Sequence, residues 1–204
     1  MPAGILRGRI SSPEVWDKAD NAGPVTEADI AIDSMLKSEL LRERQDYGWL
    51  SEETEDGQER LGNERVFIID PIDGTRSFIA GEKHFSHSLA ISENGRITTA
   101  VVYVPMMDLL FAATEHKHST LNGEKITTTS TSQVANAMLT LRDCWEWDIA
   151  AGDLIVRQAG GKVTDRHDSK LAFNNPHPKT KGCHAAGQLL HSALQARIRQ
   201  TQPQ

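Results

Sequence analysis

The sequence predicts an α/β fold. Three observations support this fold class. A capped helix lies near the N-terminus, hairpin-linked strands occupy the middle, and helix and short-strand patterns alternate over the last third. With 204 residues, the chain is long enough to bury a substantial core.

The first predicted helix begins at a capping box. Thr26 is followed three positions later by Asp29, the spacing at which a hydroxyl and a carboxylate satisfy each other's backbone amides. A one-sided apolar face is predicted from the helical spacing of Ile32, Met35, Leu36, Glu39 and Leu40. Residues 1–24 are interpreted as a loose lead-in that contains Lys18. For Asp29 the pattern supports two interpretations equally: a helix cap alone, or a role in chemistry.

Two further carboxylates follow a short apolar segment. Residues 49–51 predict a strand that ends in Glu52 and Glu53. The polar residues 54–64 predict a surface loop, because a run of charges usually forms a solvated face. Strand ends that carry carboxylates in succession can converge on one side of a sheet, which makes Glu52 a candidate site residue.

The most informative stretch is a buried strand that delivers two carboxylates. Residues 66–69 form an apolar run dense in β-branched residues, and Asp70-Pro71 is expected to end the strand because proline cannot donate to a sheet ladder. Asp73, Gly74 and Thr75 follow directly. Carboxylates at this position suit Mg²⁺, which prefers oxygen ligands, and a glycine turn lets the backbone approach phosphate. An Asp-rich turn that only caps the next element is the equally supported alternative.

An antiparallel meander is predicted next, after a short helix within residues 76–85. Residues 86–92, 96–104 and 108–113 read as strands, and Glu93-Asn94-Gly95 is a strong hairpin turn. A second turn is predicted at residues 121–124, and residues 125–133 as a strand end or a linker.

The last third predicts two helices and two short strands. The first helix covers residues 149–159 and is stopped by Gly160-Gly161, with Asp148 in its first turn, where a carboxylate is either a cap or a ligand. The other predicted elements are strands at 162–165 and 182–187 and a helix at 189–198.

Composition limits the classes of function. Twenty-eight acidic and 22 basic residues give a formal net charge of −6 without a basic run, which argues against nucleic-acid binding. No apolar stretch reaches the length of a membrane span or of a signal peptide's core. Cys144 and Cys183 form neither a metal motif nor a disulfide framework, so a cytoplasmic setting is expected. The histidines show no ligand spacing and are interpreted as ordinary surface or loop residues.

Four motifs in order resemble those of the inositol monophosphatase family of Mg²⁺-dependent, lithium-sensitive phosphatases. The first is Asp70-Pro71-Ile72-Asp73-Gly74-Thr75. The second is Trp147-Asp148-Ile149-Ala150-Ala151-Gly152, followed by Gly160-Gly161. Two weaker ones are Val25-Thr26-Glu27-Ala28-Asp29 and Ser51-Glu52-Glu53. The resemblance extends over roughly residues 15–190.

The resemblance implies a layered α/β sandwich of the inositol monophosphatase and fructose-1,6-bisphosphatase type. Residues 1–130 would form the α+β part that binds metal and phosphate, and residues 131–204 a shortened α/β part. The implied cofactor is Mg²⁺, as two or three ions. The implied metal ligands are Glu52, Asp70, the Ile72 carbonyl, Asp73 and Asp148. The implied catalytic residues are Asp29, Glu52 and Thr75, and the implied phosphate contacts are Gly74, Thr75 and Lys18.

The implied partner is a small phosphomonoester, and family members are often homodimers. Residues 138–148 look most similar to bacterial 3′(2′),5′-bisphosphate nucleotidases, which act on 3′-phosphoadenosine 5′-phosphate. Leu141 stands where inositol-specific members carry an acidic residue. Inositol 1-phosphate or histidinol phosphate is the alternative substrate. The interval 124–147 is shorter than in the family. Two further interpretations therefore stay open: a shortened, inactive member that only binds metal, and an interaction protein with this fold.

Overall fold

The N-terminal region begins with a small hairpin that leads into a long helix. The computed structural model describes residues 13–18, 23–130 and 137–201. Strands β1 (Val15–Asp17) and β2 (Pro24–Thr26) pair antiparallel, and α1 (Glu27–Glu43) follows directly. The lead-in was therefore wrongly interpreted as loose over residues 15–17 and at Pro24. Residues 1–12 and 19–22 lie outside the described residues.

Helix α1 shows the predicted capping box but not the predicted apolar face. Its fully buried residues are two carboxylates, Asp29 and Asp33, whereas Met35 is 48% exposed and Ile30 is 39% exposed. Asp33 Oδ1 accepts a hydrogen bond from Ser51 Oγ, and Asp33 Oδ2 accepts one from Thr54 Oγ1 at 2.6 Å. Hydrogen bonds to Asp33 therefore dock this helix on the neighbouring strand end. The apolar face that was predicted from the helical spacing is wrong.

A seven-stranded mixed sheet forms the centre of the molecule. Its strands lie in chain order: β3 (Gly48–Ser51), β4 (Arg65–Asp73), β5 (Ser86–Glu93), β6 (Arg96–Val104), β7 (Leu109–Thr114), β8 (Thr120–Leu121) and β9 (Glu124–Lys125). Only the β3–β4 pair is parallel. Asn94 and Gly95 have φ values of 50° and 79°, the conformation that a two-residue hairpin requires. The predicted meander is confirmed.

Strand β4 continues past the proline that was expected to end it. Asp70 pairs with Ser88 and Asp73 pairs with Ser86, so three steps along β4 face two steps along β5. This irregular register is a β-bulge, which tolerates a proline because one residue is left out of the ladder. The short helix α2 (Thr75–Ile79) begins directly after it, as predicted.

The C-terminal region adds small sheets and two helices. Strands β10 (Met138–Thr140), β14 (Cys183–Ala186) and β12 (Lys162–Thr164) form an antiparallel sheet in that order, and β11 (Cys144–Trp145) pairs with β13 (Lys179–Thr180). Helix α3 (Glu146–Gln158) packs on β4 to β7, and α4 (Gln188–Thr201) packs on β12 and β14. The predicted elements of this region are confirmed. Residues 126–130 and 137 form no helix or strand.

One continuous core joins the large sheet to α3. It includes Leu50, Val66 and Ile68 from the sheet, Ile149 and Leu154 from α3, and Phe173 and Cys183 from the C-terminal region. The division of the chain near residue 130 stays a prediction. Across the described ranges, no helix combines the length and hydropathy that crossing a bilayer needs.

Two histidines occupy the interface between α4 and the small sheet. His184 of β14 and His191 of α4 are fully buried, and their rings stack with centroids 3.9 Å apart and planes 7° apart. His191 Nε2 lies 3.0 Å from Thr164 Oγ1, whereas neither ring nitrogen of His184 has a partner among the described residues. The interpretation of these two as surface or loop residues is wrong, because they are part of the packing of α4.

A buried arginine anchors the loop that was predicted between β3 and β4. Residues Glu59–Gly62 form a 3₁₀ helix, and Arg60 is only 3% exposed. Its guanidinium donates to both carboxylate oxygens of Asp56, to Asn174 Oδ1 and to the Asn175 carbonyl. The same two asparagines donate to the buried Glu146 at the start of α3. The loop is therefore tied to the C-terminal region rather than free on the surface.

We expect Arg60→Ala to lower the free energy of unfolding by about 3 kcal/mol. The change leaves the Asp56 carboxylate without its cation and the asparagine oxygens without their donor. Arg42→Ala is the matched control, since Arg42 pairs with Glu39 on the exposed surface of α1. That change should leave the free energy of unfolding nearly unchanged, because exposed ion pairs contribute little. Urea denaturation measures both. Equal losses in the two variants would contradict the anchoring role of Arg60.

Candidate metal and phosphate site

Three carboxylates from three elements converge at one end of the large sheet. One oxygen each of Glu52, Asp70 and Asp148 lies within 4.8 Å of the other two. Glu52 follows β3, Asp70 lies in β4 and Asp148 lies in the first turn of α3. Because β3 and β4 are parallel neighbours, their carboxyl ends meet at the same edge, as the sequence predicted. The cluster brings together residues almost 100 positions apart in the chain.

Asp70 is the buried member of this cluster. Its side chain is 2% exposed, and Oδ1 has no hydrogen-bond partner among the described residues. Burial, followed by the charges of Glu52, Asp73 and Asp148, raises the pKa of Asp70 to about 10. Buried polar atoms in folded proteins nearly always have a partner. A carboxylate oxygen buried among other carboxylates therefore indicates a position for a cation.

Asp148 lies at the exposed rim of the cluster. Partial desolvation, followed by the charges of Glu52 and Asp73, raises its pKa to about 7. Helix α3 positions this carboxylate, and Ser88 Oγ of β5 contacts the Trp147 carbonyl at 3.5 Å beside it. The start of α3 is further held by Glu146, whose carboxylate accepts three hydrogen bonds from Asn174 and Asn175.

The β-bulge explains how Asp70 and Asp73 can act together. Residues three apart in a regular strand point to opposite faces, because side chains alternate with a period of two. One extra residue in β4 corrects this alternation. Asp73 is exposed, its Oδ2 lies 3.4 Å from Ser86 Oγ, and partial desolvation together with the charge of Glu52 raises its pKa. Asp73 lies beside the cluster rather than among its three closest oxygens.

Gly74 and Thr75 form the turn that follows. Gly74 has φ of 91°, and a Cβ there would lie 3.0 Å from the His84 carbonyl oxygen, so no other residue fits. Thr75 Oγ lies within hydrogen-bond reach of two acceptors, the Ile72 carbonyl at 3.1 Å and Asp29 Oδ1 at 3.4 Å. The other carboxylate oxygen of Asp29, Oδ2, accepts from the Thr26 amide at 2.8 Å and from the Thr26 hydroxyl. Asp29 is therefore both a helix cap and a contact of Thr75.

Lys18 reaches the cluster from the lead-in. Its Nζ donates to Glu52 Oε1 at 2.6 Å and to Glu53 Oε1 at 2.7 Å. Desolvation lowers the pKa of Lys18, but the hydrogen bonds to the two glutamates outweigh it and the net shift is upward. Desolvation of Glu53, opposed by Lys18, raises its pKa to about 7. Lys18 is thus held beside Glu52, and its contact with the substrate phosphate stays a prediction.

This donor set fits a hard divalent cation. Every side-chain donor in the cluster is a carboxylate oxygen, the ligand type that Mg²⁺, Mn²⁺ and Ca²⁺ prefer, and thiolates and imidazoles are absent from it. Burial is the main cause of the upward pKa shifts of Asp70 and Asp148, and the charges of neighbouring carboxylates add to both, so a bound cation would lower the cost of ionising them.

Sequence reasoning missed two supporting carboxylates. Glu53 has a side chain only 4% exposed and shares Lys18 with Glu52, yet its place after a strand end did not distinguish it from its neighbour. Asp33 holds Ser51 and Thr54 at the base of the same strand end. The available signal was its position four residues after Asp29, which places both carboxylates on one helix face.

Comparisons with known proteins agree with this geometry. A model of the inositol monophosphatase family matches residues 3–142 and 131–204. The inositol monophosphatase of Dictyostelium discoideum is 29% identical over an alignment 199 positions long. The alignment covers 72% of this chain and 73% of that protein. The 3′(2′),5′-bisphosphate nucleotidase CysQ of Escherichia coli is 38% identical over 105 residues, which cover 51% of this chain and 42% of CysQ.

A solved structure shares the fold over nearly the whole chain. The IMPase of Thermotoga maritima superposes with a TM-score of 0.78 at 26% identity, covering 93% of this chain and 89% of that one. The expected inositol monophosphatase type of α/β fold is confirmed. The acidic cluster, the family match and the shared fold lead to one conclusion: the chain belongs to the inositol monophosphatase family of metal-dependent phosphatases.

Proposed function

We propose that the chain is a Mg²⁺-dependent phosphomonoesterase that hydrolyses 3′-phosphoadenosine 5′-phosphate to AMP and phosphate. The convergence of Glu52, Asp70 and Asp148 around a buried carboxylate oxygen without a partner carries this proposal. Two or three ions would be held by these residues together with Asp73 and the Ile72 carbonyl. When bound, Mg²⁺ supplies neutralisation of the phosphate charge and activation of water.

The remaining site residues position the reactants. Thr75 Oγ can donate to Asp29 Oδ1 and at the same time accept a hydrogen bond from the attacking water, which aligns that water. Thr26 holds Asp29 Oδ2, so Oδ1 stays directed toward Thr75. The backbone amides of Gly74 and Thr75 would donate to phosphate oxygens, and Glu52 would share in orienting water. Lys18, held by Glu52 and Glu53, adds positive charge beside the phosphate position.

The choice of a nucleotide substrate rests on two observations. The match to CysQ has the higher identity among the relatives reported above, although it covers about half of the chain. Leu141, at the position of an acidic residue in inositol-specific members, is 48% exposed and offers no hydrogen bond to a polyol. The longer match to an inositol monophosphatase supports inositol 1-phosphate as the second candidate, ahead of histidinol phosphate. A reducing, cytoplasmic setting fits the two free cysteines.

Phosphate release distinguishes these candidates. We expect release from 3′-phosphoadenosine 5′-phosphate to require Mg²⁺, to stop with EDTA and to be inhibited by Li⁺, with a lower rate on inositol 1-phosphate. The EDTA-treated enzyme restored with Mg²⁺ is the control for irreversible damage. A preference for inositol 1-phosphate would reverse the substrate assignment. No release of phosphate from folded protein would mean that the shortened interval 124–147 has removed the activity.

A further inference from the structure

An open groove begins at the acidic cluster and runs along α3. It has a volume of about 430 Å³. Its lining includes one face of α3 between residues 148 and 156, residues of strands β10, β12 and β14, and threonines 127–129. Since α3 rises 1.5 Å per residue, the groove extends about 12 Å along the helix from Asp148. Asp148 therefore belongs both to the acidic cluster and to one end of the groove.

The walls of the groove are mostly apolar. Ile149, Val156, Val163 and Cys183 contribute side chains, and the hydroxyl groups come from the three threonines. The second carboxylate in the lining, Asp153, is engaged by three hydrogen bonds from Arg157 at 2.8 to 3.1 Å. Apolar walls with a few fixed polar groups are typical of small-molecule sites, and a volume of this size is within their usual range.

The threonine wall is held firmly against the C-terminal region. The Thr128 amide donates to the Ala159 carbonyl at 2.9 Å. A Cβ at Gly187 would lie 2.4 Å from the Thr129 carbonyl oxygen, and one at Gly161 would lie 2.6 Å from a Val156 methyl. Both glycines are therefore explained by close packing around the groove.

Gly152 is different because packing does not require it. It lies inside α3, where glycine is among the weakest helix formers, yet a Cβ there would meet no other segment of the described residues within 4 Å. It lines the groove one turn beyond Asp148. A larger residue would strengthen the helix and fill the groove. The absence of a side chain at Gly152 keeps this part of the groove open.

We propose that the groove binds the leaving group of the phosphomonoester, and that Gly152 makes room for a flat ring such as a purine nucleoside. This inference rests on the proposed phosphatase function, because a leaving group bonded to phosphate at the acidic cluster would enter the groove at Asp148. The mostly apolar walls suit the faces of a base, and the three threonines in the lining suit its polar edge. A polyol would leave most of its hydroxyls without partners there.

Gly152→Leu tests the proposal, with Gly152→Ala as the matched control. The leucine variant should raise KM for adenosine 3′-phosphate about tenfold or more while changing kcat/KM for glycerol 2-phosphate by less than about twofold. The alanine variant should stay within about threefold of the wild type on both substrates. Circular dichroism and thermal unfolding check that both variants fold.

Two kinetic results would overturn the proposal: an unchanged KM for adenosine 3′-phosphate in Gly152→Leu, or equal losses on both substrates. Conversion of a wild-type dimer into a monomer by Gly152→Leu would also overturn it, because a second chain would then occupy the groove.

Binding of adenosine, measured by saturation-transfer NMR, separates this inference from the proposed function. If the wild type hydrolyses neither substrate, the proposed function fails. Adenosine binding that Gly152→Leu abolishes would still support the groove as a nucleoside site. No binding of adenosine to the wild type would overturn the inference, whatever the variants do.

Discussion

Asp70→Asn is expected to stabilise the protein in EDTA and to abolish its phosphatase activity. Without metal, Asp70, whose pKa is raised to about 10, must take up a proton when the protein folds at pH 7, whereas asparagine has nearly the same shape and is neutral without that cost. We expect the free energy of unfolding in EDTA to rise by about 2 to 4 kcal/mol. The activity should fall by about 10³-fold or more, because a shared ligand of the proposed ions is lost.

Asp73→Asn is the matched control for this prediction. Asp73 is exposed, so its replacement should change the stability in EDTA by less than about 0.5 kcal/mol while it still lowers the activity. Thermal unfolding with EDTA and with Mg²⁺ measures the first effect, and Mg²⁺ should raise the midpoint of the wild type more than that of either variant. A destabilised Asp70→Asn protein in EDTA would show that Asp70 supports the fold and not a cation site.

A second large effect is expected below pH 6.5, from the stacked histidines. Burial, followed by the positive charges of protonated His184 and of Lys162, lowers the pKa of His191 from 6.5 to about 4, and burial also lowers the pKa of His184. Asp168 opposes both shifts but is itself paired with Lys162 and Arg199.

The sign of the effect follows from these shifts. Above pH 6.5 both histidines are neutral in the folded and the unfolded chain, and their contribution is constant. Between pH 6.5 and 4 the unfolded chain binds protons that the folded chain does not, so stability falls with falling pH. His191 alone should contribute a loss of about 3 kcal/mol by pH 4. The carboxylates of the acidic cluster, whose pKa values are raised, change stability in the opposite direction.

The difference between wild type and His191→Phe isolates this term. Phenylalanine keeps a ring against His184 but cannot be protonated, so the free energy of unfolding of the wild type should fall by about 3 kcal/mol relative to that of His191→Phe as pH falls from 7 to 4. His116→Asn is the control, because His116 is exposed and its positive φ of 70° suits asparagine. Urea denaturation at successive pH values gives the curves. Parallel curves for wild type and His191→Phe would refute the role of the buried pair.

Most of the fold could be predicted because its signals are local. Hairpin turns such as Asn94-Gly95, the capping box at Thr26 and the stop at Gly160 are short patterns whose backbone requirements are specific. The errors arose where distant contacts override local preference. A strand passes through Pro71 because a bulge removes one residue from the ladder, and Arg60 is buried because residues more than a hundred positions away supply its partners.

The candidate site could likewise be predicted only in part. Glu52, Asp70 and Asp148 were predicted from motifs, and the structure brings them together. The burial of His184 and His191 could not be predicted, because isolated histidines at ordinary spacing give no sign that a helix will stack one on another. The groove along α3 likewise depends on how three separate segments pack around Gly152, which no pattern within the helix shows.

The capping box of α1 also constrains how this sequence can vary during evolution. Thr26 uses its amide and its hydroxyl to hold one oxygen of Asp29, and the other oxygen lies near Thr75. Valine would copy the shape of threonine but not the hydroxyl, whereas serine would keep the contact. Glutamate at position 29 would be too long to satisfy both neighbours. Positions 26, 29 and 75 are therefore coupled, because a substitution at any one of them changes the start of α1 and the contact of Thr75 together.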